Sequence, residues 1–485
     1  MEFIENKDEE QKQLNGIFKD MIKYSPSKII GTVGNAIIVP VYTSLLPPEQ
    51  YGIYSLSIAF LSFLCIIFSD WVGLSGLRFF RQHQLAQDLS KYLSVLVSIL
   101  GLNLLLRFVL CLIFQGNFCS FFKIDPKYFY AVLFLIIPVA IRALLFQLLR
   151  AQLKSASYTF STILNQFMTI GLSIFFIKVF HMGAIAMLLA MGVSISLTDL
   201  LLMYQSKIFI YFRKPKLHWS VLLPIVMYGI PIAATSLSAW IINQSNKFIM
   251  NSISGFTEVA FVGVAYSVTL PLLMTIFSII TIAVIPRVIR MYEAKIDVRP
   301  IISRFTGYYL LISIPVVTLM ALYASDFVSM LANAKFHQAF RLIPYFAFGT
   351  FFMGLADYTT LQYHLANKTY IEFIIKLLSG IINVVLTITL IPKFGLEGVG
   401  IATLCANFIY FFLSTIIVLP SLELLYPVRP LFCMFVSFVP FYYLHKYMVE
   451  NAVNIPALLQ MGLLLVVFYG VYSLLNFLIC KFKKA

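Results

Sequence analysis

The sequence predicts an all-α polytopic membrane protein with about 14 transmembrane helices, in which two six-helix lobes related by pseudo-two-fold symmetry are followed by two C-terminal helices. Three observations predict this class: apolar blocks of bilayer length, an uneven distribution of basic residues, and an internal repeat. Hydrophobic residues make up 60% of the 485 positions and charged residues only 11%. Little of the chain is therefore left for a soluble domain.

The apolar blocks are long enough to cross a membrane. A helix needs about 20 largely apolar residues to span the hydrocarbon core. The runs are near-continuous and do not alternate, so we expect helices and not the strands of a closed barrel. The predicted spans are 27–46, 52–77, 92–114, 128–149, 158–177, 183–206, 219–243, 259–285, 305–324, 341–363, 370–391, 395–419, 428–445 and 456–480.

The basic residues lie mostly on one predicted side of the membrane. With the N-terminus inside, 24 of the 35 Lys and Arg residues fall in cytosolic segments and seven on the opposite side. This bias follows the positive-inside rule and predicts that both termini are cytosolic. The net charge of +15 is thus explained by topology, and no nucleic-acid partner is expected. The cysteines and histidines lack metal-ligand spacing, so we expect no metal and no cofactor.

Four features repeat along the chain at nearly one spacing. The pairs are Gly52 with Gly263, Arg78 with Arg287, Tyr158 with Tyr370 and Gly183 with Gly395, at offsets of 211, 209, 212 and 212. Six spans per half give both halves the same orientation, and such parallel repeats commonly hold substrate between them and alternate access by rocking. The predicted organisation is a cytosolic tail (1–26), an N-lobe (27–208), a cytosolic linker (209–218), a C-lobe (219–420) and a segment with the last two helices and a basic tail (421–485).

Three stretches resemble a known family. Residues 44–55 (SLLPPEQYGIYS), 229–231 (GIP) and 390–403 (LIPKFGLEGVGIAT), the last preceded by Asn383, are similar to polysaccharide-biosynthesis flippases of the O-antigen (Wzx) type. These belong to the multidrug, oligosaccharidyl-lipid and polysaccharide exporter superfamily. The resemblance implies two six-helix lobes around a cleft lined by helices one, two, seven and eight. Relatives often carry Asp-Arg where this chain has Asn246-Lys247, so the resemblance implies no role for that acid in this chain.

The resemblance implies a function, and the chain is not expected to be an enzyme. A flippase of this type moves a polyprenyl-diphosphate-linked oligosaccharide repeat unit of O-antigen, capsule or a related surface polysaccharide across the bacterial cytoplasmic membrane, from the inner to the outer leaflet. Membrane lipid and glycan polymerase machinery are its expected partners, and a monomer is expected. One alternative is a MATE-like, cation-coupled multidrug exporter of the same fold. A more remote alternative is a membrane-embedded glycan polymerase, for which the short outer loops leave little room.

The candidate substrate residues combine cations for a diphosphate with polar groups for sugar. Arginine neutralises phosphate through charge-assisted hydrogen bonds, although positive-inside topology alone explains a basic residue at a cytosolic helix end. Polar stripes on the first and seventh helices either line a wet wall or bond to neighbouring helices. The candidates are Lys28, Asn35, Tyr42, Asp70, Trp71, Arg78, Arg142, Asn243 and Arg287.

Other charged residues lie within the apolar spans, where each needs a partner or a watery cavity. Asp70, Asp199 and Asp357 are candidates for coupling to Na⁺ or H⁺. A structural pair of Arg142 with Asp199 is the alternative, as is an i,i+4 pair of Glu372 with Lys376. Arg107 lies about two turns from the outer end of its span, and we expect it to extend to the membrane surface.

Overall fold

The computed structural model describes residues 32, 34, 36–152, 154–206, 217–419, 428–451 and 455–482. Helices dominate these ranges, and each predicted span overlaps one of them, so the all-α class is confirmed. The helices are α1 (Ala36–Leu45), α2 (Pro48–Leu85), α3 (Leu89–Phe122), α4 (Pro126–Ala151), α5 (Ser155–Phe180), α6 (Ala184–Ser206), α7 (Trp219–Ser254), α8 (Phe256–Glu293), α9 (Arg299–Leu322), α10 (Ile343–Leu365), α11 (Thr369–Phe394), α12 (Leu396–Ile416), α13 (Val428–Glu450) and α14 (Ala457–Phe482). A short helix (Ala324–Leu331) and a 3₁₀ segment (Ala334–Leu342) join α9 to α10.

Twelve helices of the described chain are long and apolar enough to cross a membrane. The other two are α1, which is described as a continuous helix only over Ala36–Leu45, and α13, whose second half carries three tyrosines, a histidine and a lysine. The longest are α2 and α8 with 38 residues each and α7 with 36. At about 1.5 Å per residue these helices exceed the hydrocarbon thickness, so they tilt or project beyond it.

Two glycines of the internal repeat start equivalent helices. Gly183 precedes α6 with φ +58°, and Gly395 precedes α12 with φ +55°. This left-handed region is open to glycine at little cost. A methyl group added to Gly395 would meet nothing within 4 Å, so its backbone conformation and not crowding favours glycine there. Gly395 thus ends α11 and starts α12, whereas in the first half His181 ends α5 and Gly183 precedes α6.

The lobes meet along α2 and α8, near their predicted outer ends. Gly52 of α2 lies so close to α8 that an added Cβ would stand 1.8 Å from the Phe256 carbonyl oxygen. Its repeat partner Gly263 faces α2, where an added Cβ would lie 2.4 Å from Ser55 Oγ. The two glycines therefore allow the lobes to close against each other at this end.

Helix α7 packs on both lobes. Its first half lies on α2, where Ser75 Oγ donates to the Ile225 carbonyl at 3.3 Å. Its second half lies on α11, where Asn383 Nδ2 donates to the Ile242 carbonyl at 2.6 Å. Pro231 lies between the two contacts, and a proline inside a helix removes one hydrogen bond and kinks the axis. The predicted linker 209–218 falls almost wholly outside the described residues, so the lobe boundaries remain predictions.

The last two helices pack together and against the C-lobe. The rings of Phe438 on α13 and Phe468 on α14 are 4.9 Å apart. Tyr469 of α14 donates to the Leu311 carbonyl of α9 at 3.4 Å. These helices therefore attach to α9, at the side of the C-lobe.

Candidate substrate cavity and buried charges

A cavity of about 880 Å³ lies at the predicted cytosolic ends of the lobes. Arg78 from the end of α2 contributes one wall, and the end of α8, the start of α9 and the end of α10 contribute the rest. Its charged lining residues include three basic side chains, Arg78, Lys295 and Arg299, and two acidic ones, Glu293 and Asp297. The cavity therefore lies between the lobes and carries a basic excess.

One acid of the cavity is already neutralised. The Asp297 carboxylate accepts Arg299 Nε and Nη2, both at 2.9 Å, and the Arg299 backbone N–H at 3.0 Å. These hydrogen bonds hold the pKa of the Asp297 carboxyl below its ordinary value. Neither Arg78 nor Lys295 forms an ion pair with any residue that the structure describes. Both can therefore meet an anion that enters the cavity.

Trp71 and Asp70 follow a break in the regular helix. Residues Ile66–Asp70 form a π-helical turn in α2, a feature often found at functional sites. The Trp71 indole donates to the Ile67 carbonyl at 3.0 Å and is 8% exposed. Its ring lies against Gly229, where an added Cβ would stand 2.2 Å from Cε3. Trp71 is therefore enclosed by the contact with α7, whereas Asp70 has no hydrogen bond or ion pair with a described residue.

The polar stripes contribute less open surface than the sequence suggests. Tyr42 is 2% exposed, and its hydroxyl lies 3.1 Å from Ser173 Oγ of α5. Asn243 is half-buried and donates to the Ala239 carbonyl at 2.9 Å. In this conformation Tyr42 is sealed inside the N-lobe. Lys28, Asn35 and the Arg287 side chain lie outside the described residues, so their predicted roles remain predictions.

Arg142 forms the structural pair that the sequence offered as an alternative to substrate contact. Its Nε donates to Asp199 Oδ1 at 2.8 Å, and its Nη2 donates to the Ile195 carbonyl at 2.9 Å and to the Thr198 hydroxyl. Arg142 is 8% exposed and Asp199 4%. The pair ties α4 to α6 within one lobe, and a part in substrate or ion binding remains a prediction for either residue.

The expectation that Arg107 reaches the membrane surface is wrong. This side chain is 1% exposed and lies 6.0 Å from the ring of Phe68, beside the π-helical turn. Its Nε and Nη1 find no hydrogen-bond partner within the described ranges. The helix places it against α2, and sequence periodicity could not show this because lipid-facing and protein-facing positions are both apolar.

A second group of charges lies in the C-lobe between α10, α11 and α12. Lys376 Nζ stands 2.6 Å from Glu372 Oε1, which confirms the pair predicted from their spacing. Lys376 Nζ is also 3.6 Å from Asp357 Oδ1, which accepts the Tyr410 hydroxyl at 3.0 Å. His364 Nε2 lies 2.6 Å from Glu372 Oε2. We name these five residues the C-lobe charge cluster.

Sequence reasoning missed His364 and Tyr410. His364 lines the cavity and so joins the C-lobe charge cluster to it. A signal was present, because Asp357 and His364 are seven residues apart and therefore lie on one face of a helix. The contact with Glu372 depends on how α10 packs on α11, which no spacing reveals.

The position where relatives often carry an acid is occupied differently. Asn246 is fully buried, and its Nδ2 lies 3.2 Å from both the Tyr266 hydroxyl and Thr403 Oγ1. The neighbouring Lys247 is 7% exposed, with Nζ 5.8 Å from the ring centre of Tyr266. An amide and an ammonium therefore lie between α7, α8 and α12.

Comparisons with known proteins agree with this architecture. The profile of a family described as "Polysaccharide biosynthesis protein" matches residues 17–292. Among solved structures, the lipid II flippase MurJ in an inward closed conformation has a TM-score of 0.74 at 13% identity, covering 96% of this chain and all of that one. An inward-facing multidrug resistance MATE family transporter of the MOP superfamily has a TM-score of 0.66 at 15% identity, covering 80% of this chain and 92% of that one. The eukaryotic MATE transporter AtDTX14 has a TM-score of 0.54 at 17% identity, covering 84% of this chain and 95% of that one. None of the curated proteins matches the chain. At these identities the structural likeness shows the fold, which has two lobes.

Proposed function

The chain belongs to the polysaccharide biosynthesis protein family, and on that premise we propose that it is a flippase for a polyprenyl-diphosphate-linked oligosaccharide. It would move the repeat unit of a surface polysaccharide from the inner to the outer leaflet of a bacterial cytoplasmic membrane. The observation that carries the proposal is the basic cavity between the lobes, with Arg78 and Lys295 unpaired among the described residues. A diphosphate is the anionic part of such a lipid, and these cations suit it.

The mechanism follows from the two ends of the lobe interface. The α2–α8 contact at Gly52 and Gly263 closes the predicted outer end, while the cavity lies at the predicted cytosolic end. We propose that the diphosphate binds at Arg78, that the sugars enter between the lobes, and that the polyprenyl chain stays in the bilayer. Rocking of the lobes would then open the outer end and close the inner one.

Coupling to an ion, partners and topology belong to the same proposal. We propose that Na⁺ or H⁺ drives the cycle, with Asp70, Asp199 and Asp357 as candidate sites. We also propose that the flippase works as a monomer, that both of its termini are cytosolic, and that it delivers the glycan to polymerase machinery.

A cation-coupled multidrug exporter is the second candidate, supported by the likeness to MATE structures and by Asp70, which lacks an ion pair among the described residues.

Deletion of the gene separates the two candidates. For a flippase, lipid-linked repeat units accumulate in the inner leaflet and polymerised surface glycan disappears while precursor synthesis continues. Normal surface glycan together with new drug sensitivity would instead identify an exporter.

Charge reversal tests the cavity itself. Arg78→Glu should lower translocation of the lipid-linked oligosaccharide in proteoliposomes about tenfold or more, because a hydrogen bond to a charged group contributes about 1.5–3 kcal/mol. Arg81→Glu is the matched control: it lies one turn away on the same exposed helix end, donates to Gln84 Oε1 at 2.8 Å, and does not line the cavity. Equal loss in both variants would show that the basic helix end acts through topology alone. Arg78→Lys should keep transport near the wild-type rate if charge attraction suffices. It should lose transport if bidentate hydrogen bonding of the guanidinium to phosphate is needed.

A further inference from the structure

The C-lobe charge cluster carries an unbalanced charge. Glu372 and Asp357 contribute two carboxylates and Lys376 one ammonium, so with a neutral His364 the cluster has one negative charge in excess. The side chains of Glu372, Lys376 and Asp357 are 6%, 15% and 27% exposed, so water compensates only part of it. An uncompensated charge within a membrane-spanning bundle is costly. The cluster therefore requires one further positive charge.

The contacts show which carboxylate carries the excess. Glu372 lies 2.6 Å from both Lys376 Nζ and His364 Nε2. Asp357 lies 3.6 Å from the ammonium and accepts one hydrogen bond, from Tyr410. Asp357 is thus the less compensated of the two.

Among the residues that the structure describes, the other groups around the cluster do not supply the missing charge. Tyr309 of α9 and Tyr358 of α10 lie near Asp357, and Tyr363 lies near Glu372, where its hydroxyl donates to the Ile417 carbonyl at 2.6 Å. These phenols are neutral. The charged residues at the cavity mouth are Arg78, Glu293, Lys295, Asp297 and Arg299. Of the cluster residues only His364, whose side chain is 52% exposed, belongs to that lining.

We propose that the C-lobe charge cluster binds one exchangeable proton, held either by the Asp357 carboxyl with His364 neutral or by the His364 imidazole with Asp357 ionised. In both states the cluster is neutral. Transfer of the proton from Asp357 to His364 leaves a carboxylate at Asp357 and forms an imidazolium at His364. The two groups are seven residues apart on α10, a rise of about 10 Å. They are connected through Lys376 and Glu372, by contacts of 3.6 Å from Asp357 to Lys376, 2.6 Å from Lys376 to Glu372 and 2.6 Å from Glu372 to His364. Each of these groups can accept a proton on one side and donate one on the other. The proton thus passes between the interior of the C-lobe and the cavity, into which it is released.

The geometry favours a proton over a metal cation. Lys376 Nζ already lies between the two carboxylates, at 2.6 and 3.6 Å, in the place that Na⁺ would need. An ammonium can change its closer partner from Glu372 to Asp357 when Asp357 loses its proton. Protonation is thereby linked to the packing of α10 on α11. This inference rests on the proposed function, because it names the ion that would drive the flippase.

Infrared spectroscopy tests the site without any glycolipid. The full-length protein in nanodiscs would be compared in neutral and alkaline buffer, following the C=O stretching band of a protonated carboxyl. His364→Gln leaves Asp357 as the one place for the proton, so its band should correspond to one protonated carboxyl per molecule and be at least as strong as in the wild type. Asp357→Asn should show a band weaker than that of His364→Gln by the contribution of one carboxyl, while any contribution from Asp70 or Asp199 stays the same in both.

The matched control is Glu397→Gln, which removes the acid of a half-exposed pair with Arg341 at 3.9 Å in the same lobe and should keep the wild-type band. A His364→Gln band weaker than in the wild type, or an Asp357→Asn band as strong as that of His364→Gln, would overturn the proton site. Should Asp357→Asn fail to fold, the half-exposed His364→Gln variant decides alone. Since no substrate is present, this result and the outcome of the transport assays are independent.

Discussion

The close approach at Gly52 allows a direct test of how the lobes move. A methyl group there would stand 1.8 Å from the Phe256 carbonyl oxygen, and ordinary contact begins at 3.4 Å, so Gly52→Ala must separate α2 from α8 by about 1.6 Å at this point. The methyl group meets backbone, which cannot rotate away. Overpacking of this kind costs about 1–3 kcal/mol.

The cost falls on one conformation. When the outer ends separate, the methyl group has room, so the penalty applies only while α2 and α8 are in contact. We therefore expect Gly52→Ala to shift the equilibrium away from the outward-closed state by about 5- to 150-fold. Folding of each lobe should change little.

The assay is a distance measurement between spin labels at the outer ends of α2 and α8. Glu49→Cys and Ser254→Cys, both exposed, would carry the labels in a background without the six native cysteines. Gly101→Ala is the matched control, because this glycine lies within α3 and an added Cβ meets nothing within 4 Å. If Gly52→Ala and Gly101→Ala give the same distance distribution, the α2–α8 contact does not govern closure.

Three further predictions concern the stability of the protein in detergent, which is measured by thermal unfolding. Arg142→Leu should destabilise the protein by about 3–5 kcal/mol, because it leaves buried Asp199 unpaired. Adding Asp199→Leu should recover most of the lost stability. A double variant no more stable than Arg142→Leu would contradict the ion-pair explanation. Gly395→Ala should cost about 1–2 kcal/mol because of its φ of +55°, whereas Gly462→Ala, with nothing near an added Cβ, should not destabilise; equal effects would contradict the role of backbone conformation. The pKa of Asp297 is lowered in the folded state, so its contribution is present above the ordinary aspartate pKa of about 4 and lost as pH falls through the folded value. Wild type should therefore exceed Asp297→Asn by well under 1 kcal/mol at neutral pH, since the side chain is half exposed, and the difference should vanish in acid; a difference that grows in acid would reverse the sign.

The sequence predicted which segments form helices better than it predicted which side of each helix packs against the protein. Bilayer-length apolar runs located a helix at every expected position, and the spacing of Glu372 and Lys376 predicted their contact, because i,i+4 neighbours meet whatever surrounds the helix. The repeat also located Gly183 and Gly395 at equivalent helix starts.

Contacts between helices were harder to predict. In a soluble protein an apolar stripe marks the buried face, but in a membrane the lipid-facing side is apolar too, so rotation about the helix axis is not encoded in a simple pattern. Arg107 was therefore expected at the surface and is buried, and no spacing in the sequence showed that the Trp71 ring packs against Gly229 of α7. The link from His364 to Glu372 has the same origin, since it depends on how two helices pack.

The division of α7 between the lobes has a consequence for any attempt to separate the halves. A chain cut after α6 would release an N-terminal fragment whose α2 has lost the helix that covers Trp71 and Ser75. The C-terminal fragment would begin with a helix whose first half has no partner of its own. The present halves are thus no longer interchangeable units, even though their repeat points to duplication. Co-expressed fragments divided within the predicted linker 209–218 should therefore be stable only together, because α7 of the second fragment is needed to cover α2 of the first.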